Sequence, residues 1–208
     1  YDPLVRVVGK PPTPTPGLAK SWAQSEDGLT YTFELDPAAK FHDGTPVTAR
    51  DVAYSFARLL RLKQGPAWML SGILDEESVA ADGEGTVVMT LRKPFAPLLS
   101  VLPWMFVVNA AEVEANLGSD DGQSYLMSNI AGSGAFKMGR VLPGDRYELM
   151  RVEDDWHQGG NLDAAIWKIV RESSTARLML GRGRGAFRCC CSVSWAWDVV
   201  GANAPRKG

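Results

Sequence analysis

Polar and apolar residues alternate along Thr30-Tyr31-Thr32-Phe33-Glu34-Leu35, which puts Tyr31, Phe33 and Leu35 on one face of a strand. That strand is the second arm of a hairpin over residues 22–35, turning at Asp27-Gly28. The period then changes. Thr48 stands as a helix N-cap with Asp51 three residues on, so a carboxylate lies over the free amides of the first turn. Val52, Phe56 and Leu59 or Leu60 recur at helical spacing through Arg61. Gly65-Pro66 breaks the chain before Ala67-Trp68-Met69-Leu70.

Further along, residues 77–81 and 86–91 form a second hairpin with Asp82-Gly83 or Glu84-Gly85 at its turn. Pro94 opens a short helix through Val101 and Pro103 stops it; residues 110–117 are another helix, closed by Gly118. A third hairpin pairs residues 135–142 with 146–152 about Pro143-Gly144-Asp145. Residues 163–170 are a strand, and Ser173 or Ser174 caps a helix through Leu180. Pro11, Pro12, Pro14 and Pro16 mark an extended surface connection. There is no internal repeat.

The 208 residues can bury a substantial core, and 45% apolar with 22% charged residues is ordinary for a globular protein. No apolar run approaches the ~20 residues that span a bilayer. No signal peptide opens the chain at Tyr1. A net charge of −2 gives no electrostatic footprint for nucleic acid. The charge is unevenly spread: residues 181–208 carry five basic residues against Asp198, a net +4, and the remainder is −6. The cysteines all sit in that terminal stretch, so the acidic body needs no disulfide.

One motif carries more information than the rest. Phe41-His42-Asp43-Gly44-Thr45-Pro46-Val47-Thr48-Ala49-Arg50-Asp51-Val52 is a strand end, a tight turn and a helix start, with Gly44 taking backbone angles other residues avoid. Before it come Pro16-Gly17-Leu18-Ala19-Lys20-Ser21-Trp22 and the hairpin from Ser25; after it come VVMTLRKPFAPLL (87–99), AGSGAF (131–136) and RYELMRVEDDWHQGG (146–160). Together these resemble the extracytoplasmic solute-binding proteins of peptide- and nickel-type ABC importers, family 5, over residues 1 to about 180. Two local departures are Leu35-Asp36-Pro37, where the family has Leu-Arg, and Ala135, where its turn commonly has Pro.

The resemblance implies an α/β fold of the two-lobed periplasmic-binding-protein type II. Residues 1–48 and 130–180 would be part of the first lobe, residues 49–129 a subdomain inserted in it, and the second lobe would be absent. It implies solute binding for ABC import in the periplasm or another extracytoplasmic space, with a peptide or other small solute and a membrane permease as partners. No nucleic acid, cofactor or metal is implied. The ligand stays open among peptides, nickel complexes, sugars and other small solutes. A fragment of this kind would bind weakly or not at all, since one lobe cannot enclose a ligand.

After Leu180 the pattern is lost. Alternating Gly and Arg, three adjacent cysteines and two tryptophans show no sustained periodicity, and residues 181–208 read as an atypical, disordered tail translated out of frame, with a genuine divergent tail as the alternative. Cys189-Cys190-Cys191 lack the C-x2-C spacing by which thiolates converge on a metal.

The catalytic motifs are thin. His42-Asp43 reads as turn chemistry, and Asp154-Trp156-His157 as a polar loop packed by Trp156. Gly132-Ser133-Gly134 is too short for a nucleophile elbow and reads as glycines permitting a sharp return. The chain is therefore read as a non-enzyme. By the same resemblance, the ligand-facing candidates are Trp68, after the first helix of the subdomain, and Trp104 and Met105, after the proline-bounded helix. Aromatics there would stack on cations or peptide groups, or else fill the subdomain core. Two other readings stay open: a regulatory or sensory module on the same fold, and a hydrolase.

Overall fold

Short antiparallel ladders, each closed by a tight turn, build most of this protein. The computed structural model describes residues 1–153, 155–157, 162–182, 187–188 and 195–200. They fall into two units, residues 1–134 and residues 135–208.

In the first unit, β1 (Val5–Val8) pairs antiparallel with β2 (Thr13–Pro16). The proline run expected to be a connection thus contributes a strand. An isolated two-stranded ladder tolerates Pro14 and Pro16 because its outer side needs no N–H donors. β3 (Ala19–Gln24) and β4 (Thr30–Leu35) follow as the first expected hairpin. Tyr31, Phe33 and Leu35 are buried as the alternation requires. β5 (Val79–Asp82) and β6 (Thr86–Thr90) complete a four-stranded sheet in the order β3-β4-β6-β5, turning at Gly83 with φ +73°. β4 and β6, which lie on either side of residue 48 in sequence, pair with each other within this unit.

Helix α1 (Ala49–Leu62) packs on β5 and β6 through Val52 and Phe56, both buried. The Asp51 carboxylate accepts from the N–H and the hydroxyl of Thr48, which is the cap read from sequence. A 3-10 segment, Gly65–Leu70, follows, then α2 (Leu98–Val101), a 3-10 turn at Leu102–Trp104, α3 (Ala110–Glu114) and α4 (Gln123–Ser128). Asn109 caps α3 by accepting from Glu112 N–H at 3.1 Å. The core gathers Leu18, Phe33, Phe56, Leu70, Met89 and Leu102.

The second unit is an antiparallel sheet. β7 (Phe136–Leu142), β8 (Arg146–Arg151) and β9 (Ala164–Ile169) run in sequence, and α5 (Ser173–Gly181) follows. Glu172, not Ser173 or Ser174, occupies the N-cap position of α5. β10 (Phe187–Arg188) and β11 (Trp195–Val200) extend the sheet in the order β10-β11-β9-β8-β7. These are strands within the stretch where no periodicity was legible; Trp195 to Val200 is nonetheless rich in the aromatic and β-branched residues that favour strands. Cys189, Cys190 and Cys191 lie outside the described residues.

Candidate functional site

Leu102, Met105 and Val107 are buried while Trp104 and Phe106 are 60% and 53% exposed. Backbone pairing holds this segment: Pro3 bridges Phe106, and Val107 N–H donates to the Asp2 carbonyl. The inward residues anchor it in the core and the outward ones stand free. Beside them Met127 of α4 is 86% exposed and Tyr1 is exposed as well. Trp104, Phe106, Met127, Tyr1, Leu126 and Arg58 surround an apolar hollow of about 450 Å³. Met105 contributes to its lining but belongs to the core, at 2% exposure.

Trp68 lies elsewhere. Its side chain is 72% exposed and lines a second, more polar hollow of about 730 Å³ with Lys63, Asp75, Glu76, Glu77 and Arg92. The structure therefore brings Trp104 and Met105 to one hollow and Trp68 to another. The second hollow has its charges largely occupied: Arg92 pairs with Asp75 at 2.6 Å, and Glu76 faces Arg61 at 3.6 Å. The Ser78 hydroxyl and then Arg92 hold the Asp75 carboxyl below the usual range.

The first hollow carries a single charged side chain, Arg58 of α1. Its Nε donates to the Asp121 carbonyl at 2.7 Å. The Asp121 carboxylate goes instead to Arg61, at 3.1 Å. Sequence reasoning passed over Arg58, Phe106 as a site residue, and Met127. The readable signal for Arg58 was its place on α1 away from the Val52 and Phe56 face, next to Leu59 and one turn before Leu62.

The catalytic motifs are accounted for by structure. Asp43 accepts from Thr45 N–H and hydroxyl and, through its other oxygen, from Asn109 Nδ2 at 3.0 Å, so it braces the turn against the cap of α3. His42 Nε2 lies 2.7 Å from the Gly134 carbonyl oxygen, and His42 N–H donates to Gly132 O. The buried Ser133 hydroxyl donates to Asp2 at 3.0 Å. The two glycines flanking it do not have left-handed backbones. They admit Tyr1: a Cβ on Gly132 would lie 2.9 Å from its ring and one on Gly134 2.8 Å from its nitrogen. His157 bonds to Asp155, while Asp154 lies outside the described residues. Among the described residues no group of three or more His, Cys, Asp or Glu side chains converges as a metal site.

Comparison with known proteins extends the picture. Residues 13–187 match the family model of bacterial extracellular solute-binding proteins, family 5 Middle. The chain is 39% identical over 170 residues to the probable D,D-dipeptide-binding periplasmic protein DdpA of Escherichia coli K12, covering 80% of this chain and 32% of that one. The periplasmic binding protein DppA of Helicobacter pylori, solved in complex with the peptide STSA, superposes with a TM-score of 0.76 at 27% identity, covering 88% of this chain and 39% of that one. AgaA of A. tumefaciens R10, solved with agropinic acid, gives 0.75 at 29% identity, covering 88% of this chain and 36% of that one. The chain spans about a third of the length of the curated relatives it matches.

Proposed function

Because this chain belongs to the bacterial extracellular solute-binding proteins of family 5, we propose that its apolar hollow is one wall of a solute site serving an ABC importer. The first solute class to consider is short peptides. The observation that carries the reading is the cluster of Trp104, Phe106 and Met127, large apolar side chains left 60%, 53% and 86% exposed around one hollow. Exposed apolar groups gathered in one place mark a binding surface more often than scattered ones do. Aromatic rings there offer broad contact to apolar side chains and peptide planes at small entropic cost.

Extracytoplasmic placement, handover to a membrane permease and closure of a second lobe over the solute belong to the same proposal. Closure would be favoured by as much as the closed state adds in contacts with the ligand. No covalent step is required. The hollow is one wall of that site, and the affinity of this wall alone is expected to be weak, with Kd of about a millimolar or above.

Titration of the chain with the dipeptide Leu-Phe and the tripeptide Ala-Leu-Phe, followed by two-dimensional NMR, tests this. Shifts are expected at the Trp104 indole and around Met127. Shifts confined to the Trp68 hollow, or none at either, would refute the assignment.

A further inference from the structure

Four aspartates in this chain precede a glycine: Asp27, Asp43, Asp82 and Asp121. In such a pair the glycine nitrogen can close a five-membered ring onto the aspartate side chain, because no Cβ on the next residue blocks the approach. Three of the pairs are held back by hydrogen bonds to both reacting groups. The Asp27 carboxylate accepts from the Ser25 hydroxyl and from Leu29 N–H, and Gly28 N–H donates to Ser25 O at 3.0 Å. The Ser25 bond first, and then that of Leu29, hold the Asp27 carboxyl below the usual carboxylate range, away from the protonated form that ring closure needs. The Asp43 carboxylate is shared between Thr45 and Asn109, with Gly44 N–H on Phe41 O. Asp121 pairs with Arg61 at 3.1 Å, and Gly122 N–H donates to Leu117 O at 2.6 Å.

Asp82-Gly83 is held by neither bond. Among the described residues nothing donates to the Asp82 carboxylate and nothing accepts from the Gly83 N–H. Both residues are exposed in the turn between β5 and β6, and a Cβ on Gly83 would meet nothing within 4 Å. We infer that Asp82 is a site of spontaneous isoaspartate formation, and that this change loosens the start of α1. The Gly83 nitrogen attacks Cγ of the protonated side chain. The N–Cγ bond forms, and the amide proton leaves with the carboxyl –OH as water. Water then opens the resulting succinimide at either carbonyl. Attack at Cγ restores aspartate. Attack at the α-carbonyl carbon breaks its bond to the Gly83 nitrogen and carries the main chain through Cβ. One water is released and one consumed, so the product keeps the parent mass and gains a methylene in its backbone.

That methylene falls where the turn holds two other elements. Glu84 O accepts from Ala49 N–H at 2.7 Å, and Gly85 O accepts from Leu35 N–H at 2.8 Å. Ala49 opens α1, so its N–H has no acceptor inside the helix. Asp82 and Thr86 are the last paired residues of β5 and β6. A longer path between them draws both carbonyls off their donors.

The test ages the full chain at mildly acidic pH and body temperature, one portion folded and one in urea, and maps the peptides. Electron-transfer fragmentation tells isoaspartate from aspartate by cleaving its Cα–Cβ bond. In the folded chain isoaspartate is expected to build up at Asp82 severalfold faster than at Asp27, Asp43 or Asp121, and in urea the four rates should converge. Ageing in heavy-oxygen water should leave one heavy oxygen at Asp82 for each ring opening. Equal accumulation at all four sites in the folded chain, or no heavy oxygen at Asp82, would overturn the assignment. Asp82→Glu keeps the charge but lengthens the side chain past five-membered ring closure, and it should silence the turn; isomerised product persisting there would also overturn it. Hydrogen exchange read by mass spectrometry then compares aged with fresh chain, with Asp82→Glu aged alongside. Peptides holding Ala49 and Leu35 are expected to exchange severalfold faster in the aged parent alone, with β8 unchanged. Equal exchange in aged and fresh parent would overturn the coupling to α1, and so would the same rise in aged Asp82→Glu.

Discussion

Asp51 Oδ1 accepts a hydrogen bond from the backbone N–H of Ala110 at 2.9 Å, across 59 residues of chain. Its other oxygen accepts from Thr48 N–H at 2.9 Å, so one carboxylate closes the start of α1 and ties it to the start of α3. One turn along, the Ser55 hydroxyl donates to Asp51 O at 2.6 Å and accepts from Val108 N–H at 3.0 Å. The segment bearing Trp104 and Phe106 is thereby fixed against the helix bearing Arg58. These contacts are buried and polar, and they set the geometry of the hollow, whose lining includes Ser55 and Val108.

Asp51→Ala is expected to destabilise the chain by about 2–4 kcal/mol, because it removes a cap and strands the Ala110 N–H in the interior. Asp51→Asn should cost less, since an amide oxygen can still accept one of the bonds. Urea unfolding monitored by circular dichroism measures both. A midpoint in Asp51→Ala equal to that of the unsubstituted chain would show that Ala110 finds another acceptor.

Tyr54 offers the opposite case. Its hydroxyl is buried with no hydrogen-bond partner among the described residues, and burial pushes the phenol up from its ordinary value. A raised folded-state value means that its contribution is complete below the unfolded value, about 10, and is lost as pH rises through the folded one. Tyr54→Phe should therefore leave stability at pH 7 within about 1 kcal/mol, since no hydrogen bond is lost. It should also flatten the fall in stability that sets in as pH rises through about 10. Identical alkaline limbs in the two proteins would contradict this.

Much of the first unit could be read in the sequence because its signals are local. The alternation from Tyr31 to Leu35, the turn at Asp43-Gly44 and the cap at Thr48 and Asp51 each lie within a few residues, and each took its expected form. The hollow could not be read the same way, because its walls come from α1, α4, residue 1 and residues 104–108. Helix α4 has no buried residue and so leaves no apolar stripe to find. Trp104 and Met105, adjacent in sequence, were assigned one role; the local backbone turns one outward and the other into the core. The proline-rich β2 was read as a connection because proline argues against strands in general, and the exception depends on an edge that only the pairing reveals.

Asp75 predicts an acid sensitivity. The Ser78 hydroxyl, and after it Arg92, lower its carboxyl below the ordinary value near 3.8. A depressed folded-state value gives stability that is present above the unfolded pKa and lost as pH falls through the folded one. Urea midpoints taken between about pH 5 and 2.5 should fall less steeply in Asp75→Asn than in the unsubstituted chain. Parallel slopes would mean that the contacts of this exposed group confer nothing in solution.

Gly17 and Gly85 separate close approach from simple flexibility. A Cβ at Gly17 would sit 2.4 Å from the Pro3 carbonyl oxygen and 2.8 Å from that of Leu4, where the chain entering β3 hydrogen-bonds residues 3 and 4. At Gly85 nothing lies within 4 Å, and φ is not in the left-handed region. Gly17→Ala should cost about 1–3 kcal/mol and lower the melting temperature. Gly85→Ala should be neutral or slightly stabilising, by less than about 1 kcal/mol. Equal effects would remove backbone crowding as the reason for glycine at residue 17.

Trp104 and Met105 divide stability from binding. Met105 is 2% exposed among Leu102, Val107 and their neighbours, so Met105→Ala empties part of the core and should cost about 2–5 kcal/mol. Trp104 is 60% exposed, and Trp104→Ala should change stability by less than about 1 kcal/mol. Binding should follow the reverse order. Trp104→Ala removes the ring from the hollow and should weaken the Leu-Phe titration severalfold while the fold stays intact. In Met105→Ala, measured well below its melting temperature, affinity should change little, because the side chain reaches the hollow only at its lining. Thermal melts and the NMR titration on both variants give the comparison directly. A Trp104→Ala protein that melts early, or that binds as well as the parent, would mean that the exposed indole is not held ready for a ligand.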